Sequence, residues 1–176
     1  MKRIHAVKLF IAVLSTTLFF ACTSPKDEAL HKIKKIEDSD STLNNPALLE
    51  ELTAMYVDFI AKYPKDPNTC DFTFKAAESY HMLSKFDDAI GMYDVFAKNY
   101  SKDKRAEHAL FMKAFVQENG LQQFAKARTD YEEFLKKYPN GELADDARAA
   151  LNLIGKSDED IIKFLKEKEA SGDSTM

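Results

Sequence analysis

Residues 131–139 read YEEFLKKYP, and the chain writes this aromatic stripe three times. The earlier copies are YDVFAKNYS at 93–101 and YVDFIAKYP at 56–64. Their shared members are Tyr56, Phe59 and Tyr63, then Tyr93, Phe96 and Tyr100, then Tyr131, Phe134 and Tyr138, so the copies stand 37 and then 38 residues apart. Reading backwards adds Leu49 and Leu52, Phe86 and Ala89, and Phe124 and Ala127. These offsets place every member on one face of an α-helix. Three unrelated amphipathic helices would share the period but not the same residue types in register. A helix with a single apolar face must bury it, so the units are expected to stack on one another.

The residues between the copies supply a partner for each helix. Phe74, Ala77, Tyr80, Met82 and Leu83 precede Phe86, and Ala109, Leu110, Ala114 and Phe115 precede Phe124. Alanines at 77 and 114 allow close helix approach, and Ser84–Lys85 and Asn119–Gly120 mark turns. Pro64 with Pro67, Ser101, and Pro139 with Gly141 stop the second helices. The expected fold is therefore all-α, a solenoid of antiparallel helix hairpins.

Tyr80, Phe86, Ala89, Tyr93 and Phe96 in the central unit, and Phe124, Ala127, Tyr131, Phe134 and Pro139 in the next, resemble the tetratricopeptide repeat. The phrase YEEFLKKYPNGELADDARAAL at 131–151 resembles the variant in two families of bacterial envelope proteins. These are the outer-membrane assembly lipoproteins (BamD) and the cell-division coordinators (CpoB, or YbgF). The resemblance covers residues 46–155. It departs from the family in its spacing, since the usual repeat is about 34 residues. Ala77 stands where the family has glycine, and the first unit shows only its second helix clearly.

The N-terminus points to export. Lys2, Arg3 and Lys8 precede an apolar run from Leu9 to Phe20, too short to span a bilayer and laid out as a secretory signal. Ala21–Cys22 follows and resembles the lipobox of bacterial lipoproteins, whose cysteine is acylated; Phe19 and Phe20 depart from that pattern. An ordinary signal with an incidental cysteine is the alternative. Two or three acyl chains on Cys22 would anchor an otherwise soluble chain durably. Thr23 resembles the sorting residue of outer-membrane lipoproteins that face the periplasm, and Lys26–Asp27–Glu28 resembles a tag on some surface-exposed ones.

The expected organisation is a signal at 1–21, a tether at 22–45, repeats at 46–170 and a frayed tail at 171–176. Within the tether, Asp27–Ile36 can form a short helix. Asn45–Pro46 reads as a helix start, and Gly155 suits the position just past a helix end. Ser157–Asp160 reads as a capping box for a C-terminal capping helix over 159–168, with Ile161, Ile162, Phe164 and Leu165 covering the stack's end.

Composition narrows the function. The chain has 25 basic and 29 acidic residues, net −4, and removing the signal's three cations leaves −7. That balance argues against nucleic acid as a partner. Cys70 has no partner for an internal disulfide if Cys22 is acylated, and reads as a small, partly buried apolar residue. Glu78 and His81 match E-x-x-H, but a di-iron site needs a second copy and two more glutamates. There is no H-E-x-x-H, C-x-x-C, phosphate-binding glycine loop or G-x-S-x-G. The expectation is a non-enzymatic chain with no cofactor and no metal. Stacked hairpins present a concave face to a protein or peptide partner. By helical spacing, Phe74, Glu78 and His81, with His108, Phe111 and Phe115, are the candidates for that groove. The sequence thus predicts a lipid-anchored envelope scaffold for outer-membrane protein assembly or division. A lipoprotein that captures a nutrient or glycan is the alternative, disfavoured by the absence of tryptophan and of a clustered aromatic–carboxylate platform.

Overall fold

The second helix of each hairpin ends in the same way, and this turn organises the whole chain. The computed structural model describes residues 24–39 and 42–170. The signal, Cys22 and the tail at 171–176 lie outside the described residues. Tyr63, Tyr100 and Tyr138 leave the helix with φ of −128°, −119° and −129°. Each still donates its N–H to the phenylalanine four residues back, at 2.8, 2.9 and 2.8 Å. The carbonyl of each tyrosine then accepts from Asp66, Asp103 and Gly141 in turn. Those three residues accept from Thr69, Ala106 and Ala144, which starts the next helix. Orphan groups at both helix ends are thereby satisfied within a short connection.

The helices are α1 (Pro25–Glu37), α2 (Pro46–Lys62), α3 (Asn68–Met82), α4 (Phe86–Asn99), α5 (Ala106–Asn119), α6 (Phe124–Lys137), α7 (Ala144–Leu153) and α8 (Asp158–Ala170), with a 3-10 turn at Thr42–Asn44. No strand occurs among the described residues. Neighbours in sequence pack together from α1 through α7, which makes a tetratricopeptide-type solenoid of antiparallel hairpins. Asn45 caps α2, accepting from the N–H of Ala47 and Leu48 at 3.1 and 3.3 Å, with Pro46 at the first helical position.

The middle of each stripe is core, whereas Phe124, expected on the same buried face, is 43% exposed. Tyr56, Phe59, Tyr93, Phe96, Tyr131 and Phe134 are at most 3% exposed. Opposite them, Ala76, Ala77, Ala109 and Ala114 are fully buried and let the helix backbones close up. Within hairpins, Ser84 and Gln122 take left-handed conformations with φ of 57° and 53°. Gly120 keeps a negative φ; its value is space, because a Cβ there would press on the Phe86 ring at 2.8 Å. Gly155 does adopt the left-handed conformation expected past α7, with φ of 76°.

The short helix expected at 27–36 is present and somewhat longer, and it packs on the repeats instead of standing apart in a tether. α1 is a full helix packed on α2, with Ile33 1% exposed in a cluster with Leu52, Tyr56 and Phe59. Ser24 caps it by accepting from Asp27 N–H at 3.1 Å, and Lys26 bonds Asp66 at 2.9 Å. It is the missing first helix of the first hairpin. The expected box opens α8, where Ser157 accepts from Asp160 N–H at 3.2 Å. Ile162, expected to cover the stack's end, is instead 52% exposed.

Candidate partner-binding face

The first helices of the hairpins, α1, α3, α5 and α7, form one side of the stack. Arg105 fixes where α5 starts. Its guanidinium donates to both oxygens of Asp103 at 3.0 Å and to Asp71 of α3 at 2.7 Å. It also lies over the rings of Phe74 and Phe96, 5.0 and 5.3 Å from their centroids. Such a planar, multiply bonded cation locks α3 against α5.

That lock explains the first correction among the expected groove residues. Phe74 is 7% exposed, its ring between Tyr93, Phe96 and His108 at 5.0–6.3 Å. It belongs to the core because α5 covers the side of α3 that α4 leaves free. Phe111 is half-buried and faces α6, 5.5 Å from Tyr131 and 5.7 Å from Phe134, so it too is a seam residue. His108 is half-buried against Phe74, and burial lowers its pKa, which favours the neutral ring. His81 and Phe115 do meet across α3 and α5, with centroids 6.3 Å apart. Glu78 is exposed on the outer ridge of α3, its carboxyl pushed up by partial burial while Arg105 pulls it the other way.

Beside Glu78 opens a cleft of about 560 Å³ between α1, the 3-10 turn, α2 and α3. Leu49, Leu52 and Tyr56 make its apolar floor, and Met82, 53% exposed, stands at its mouth. The polar wall is internally bonded. Glu37 accepts from the Tyr56 hydroxyl at 2.7 Å and from Lys75 at 2.8 Å, and Lys75 also bonds Asp71 at 2.8 Å. Burial, reinforced by Glu37, pushes the Tyr56 phenol well above its ordinary range. Burial alone would lower Lys75, but its bonds to Asp71 and Glu37 hold its pKa raised. The wall therefore presents a neutral phenol and a charged ammonium at any physiological pH.

Sequence spacing missed this cleft because α1 was not recognised as part of the stack. Lys75 carries no repeat signal, and Met82, Leu49, Leu52 and Tyr56 read only as packing residues.

No group of three or more His, Cys, Asp or Glu side chains is placed to hold a metal among the described residues. Cys70 lies 3.5 Å from Asp103; burial first, then that carboxylate, push its thiol up, so it is not activated.

Residues 73–103 and 108–141 match the tetratricopeptide repeat family. Over these two hairpins the chain is similar to tetratricopeptide repeats. The first match covers most of α3 and all of α4, and the second covers most of α5 and all of α6 with the turn that follows. No curated protein matches the chain. In a tetratricopeptide stack the extended concave surface is the part available to a ligand. Glu78 and Met82 are exposed on α3, and His81 and Phe115 are half-buried where α3 meets α5.

Proposed function

We propose that this chain is a lipid-anchored scaffold of the bacterial envelope that holds a protein partner on the face of α3 and α5 and in the adjoining cleft. The tetratricopeptide repeats support protein binding. The observation that carries the choice of face is the open apolar cleft with Met82 at its mouth, since methionine adapts to varied partner surfaces. The anchor follows from the signal-like N-terminus and from Cys22, which resembles a lipobox cysteine. The same features favour an outer-membrane lipoprotein facing the periplasm, with a role in outer-membrane protein assembly or division suggested by the sequence resemblance. No helix among the described residues is long and apolar enough to cross a membrane, so retention at the bilayer would depend on acylation.

The cleft's volume also falls within the roughly 300–1,000 Å³ typical of small-molecule sites, which is the one observation favouring a ligand-binding lipoprotein. Capture from envelope extract separates the two. Wild type should retain a protein that a Glu78→Arg/Met82→Asp variant loses, while Val95→Asp, on the exposed side of α4, keeps it. Retention by the face variant would refute the assignment, and a bound small molecule without any protein would favour the alternative. Incorporation of a labelled fatty acid that vanishes with Cys22→Ser tests the anchor separately.

A further inference from the structure

In each hairpin a glutamate of the first helix stands near the stripe tyrosine of the second. Glu37 of α1 accepts from the Tyr56 hydroxyl at 2.7 Å, and Glu118 of α5 accepts from the Tyr131 hydroxyl at 2.9 Å. The central hairpin has the same two residue types, Glu78 on α3 and Tyr93 on α4, and burial first, then Glu78, push the Tyr93 phenol up. Their hydrogen bond is nevertheless not made, and Glu78 forms no ion pair among the described residues. The middle carboxylate of the row is the one left to a ligand.

The cations around it are already held. Arg105, Asp71 and Lys75 are the charged groups that act on Glu78. Lys75 is bound by Glu37 and Asp71, and Arg105 by Asp71 and Asp103. With Glu78, this cluster sets two cations against four carboxylates. Elsewhere on the walls of the cleft, the exposed charges without an ion pair among the described residues cancel: Lys34 and Lys35 near the end of α1 stand against Asp38 and Glu51. The unmatched negative charge is that of Glu78.

Apolar surface adjoins it. Met82 lies one turn further along α3, 53% exposed, and Leu49 and Leu52 floor the cleft behind. We infer that the cleft takes a segment of the partner protein in which a lysine or arginine stands beside an apolar side chain. The cation bonds Glu78, and the apolar group rests on Leu49, Leu52 and Met82. The inference rests on the proposed docking face and names what that face reads. Partial burial has already removed some of the water around Glu78, so a cation gains more there than at a fully solvated carboxylate.

The test uses the chain from residue 22 with Cys22→Ser, which leaves every described residue in place. Fluorescent peptides in which pairs of leucines are separated by Lys, by Gln or by Glu are titrated against it, and binding is read by anisotropy. The Lys peptide should bind about three- to tenfold tighter than the Gln peptide, between the effect of an exposed ion pair and that of a covered hydrogen bond to a charge. The Glu peptide should bind weakest. Glu78→Gln keeps the shape of an exposed side chain and should erase the Lys preference, and Glu78→Lys should invert it. Glu132→Gln removes the same charge from an exposed site on α6 and should preserve it. Met82→Ser should weaken all three peptides and keep their order.

A Lys preference that survives Glu78→Gln, a preference for Glu, or no binding of any peptide would overturn the inference. So would self-association of the wild-type chain that Glu78→Gln abolishes, since the cleft would then belong to a second copy. Capture of an envelope protein through this face without a Lys preference would refute the inference and leave the docking face. A Lys preference carried by Glu78, with no envelope protein captured, would do the reverse.

Discussion

Lys113 sits where three helices meet, and its removal should be among the costliest single changes in the fold. Its ammonium lies 3.1 Å from Asp94 of α4 and 3.2 Å from Asp130 of α6, with the three side chains 16%, 26% and 11% exposed. Burial alone would lower the lysine's pKa; the two carboxylates hold it raised, so the pairs are fully present at pH 7. Lys113→Met keeps the aliphatic stem and deletes the charge. Asp94 still has Lys98 at 2.6 Å, but Asp130 is left buried without a cation. Breaking a buried pair on one side costs about 3–5 kcal/mol; the lower end, about 3, fits a site with some remaining access to water. For a domain of this size that is a fall in melting temperature of about 6–12 °C. Thermal and urea unfolding followed by circular dichroism measure it directly. Adding Asp130→Asn should restore about half of the loss, since the stranded charge then disappears. A loss under about 1 kcal/mol, with the two substitutions simply adding, would mean that water screens the cluster as it screens a surface pair.

Phe74→Ser should destabilise the domain by about 3–5 kcal/mol, the range for emptying a buried aromatic site, in contrast to the small effect of Phe115→Ser at the half-exposed face; equal midpoints in urea would return Phe74 to the surface. Gln117→Met should leave stability unchanged or raise it by about 1 kcal/mol, because the Gln117 side-chain oxygen is buried without a hydrogen-bond partner; a clear loss in calorimetry would reveal a bond from an ordered water. Asp66 is held at about 2 by the backbone N–H of Asn68, then by Lys26 and the Asn68 side chain, and Asp103 is held lower still by Arg105. Their folded pKa values are depressed, so their stabilisation is complete above about pH 5 and disappears as pH falls through about 4 towards 2. Asp66→Asn should accordingly be less stable than wild type at pH 7, with the two converging near pH 2; a gap independent of pH would refute the attribution.

The repeated stripe made most of the fold legible, because one face per helix is all that the second helix of a hairpin needs to bury. First helices are harder to read. α3 packs on α4 of its own hairpin and on α5 of the next, so its apolar surface is wider than one stripe, and Phe74 looked unassigned when it was covered on the second side. α1 hid for another reason. Its apolar set, Ala29, Leu30, Ile33 and Ile36, is interleaved with lysines, and only contact with α2 shows that Ile33 is core. Once α1 was read as tether, the cleft that it walls had no visible second side. His81 and Phe115, chosen separately by helical spacing, meet across α3 and α5 because both lie at the margin of the packing stripe.

The third turn shows how far apart in sequence one structural role can lie. In the first two turns a carboxylate accepts from the N–H two residues on, Asp66 from Asn68 at 3.0 Å and Asp103 from Arg105 at 2.9 Å. Gly141 holds the equivalent place and has no side chain to do so. Glu107, from the preceding hairpin, instead reaches in and accepts from Leu143 N–H at 3.2 Å. A Cβ on residue 141 would collide with that carboxylate, so glycine and glutamate form one unit across hairpins. Read locally, Pro139–Asn140–Gly141 is only a helix stop. In the stack it is the point where α5 is fastened to the start of α7.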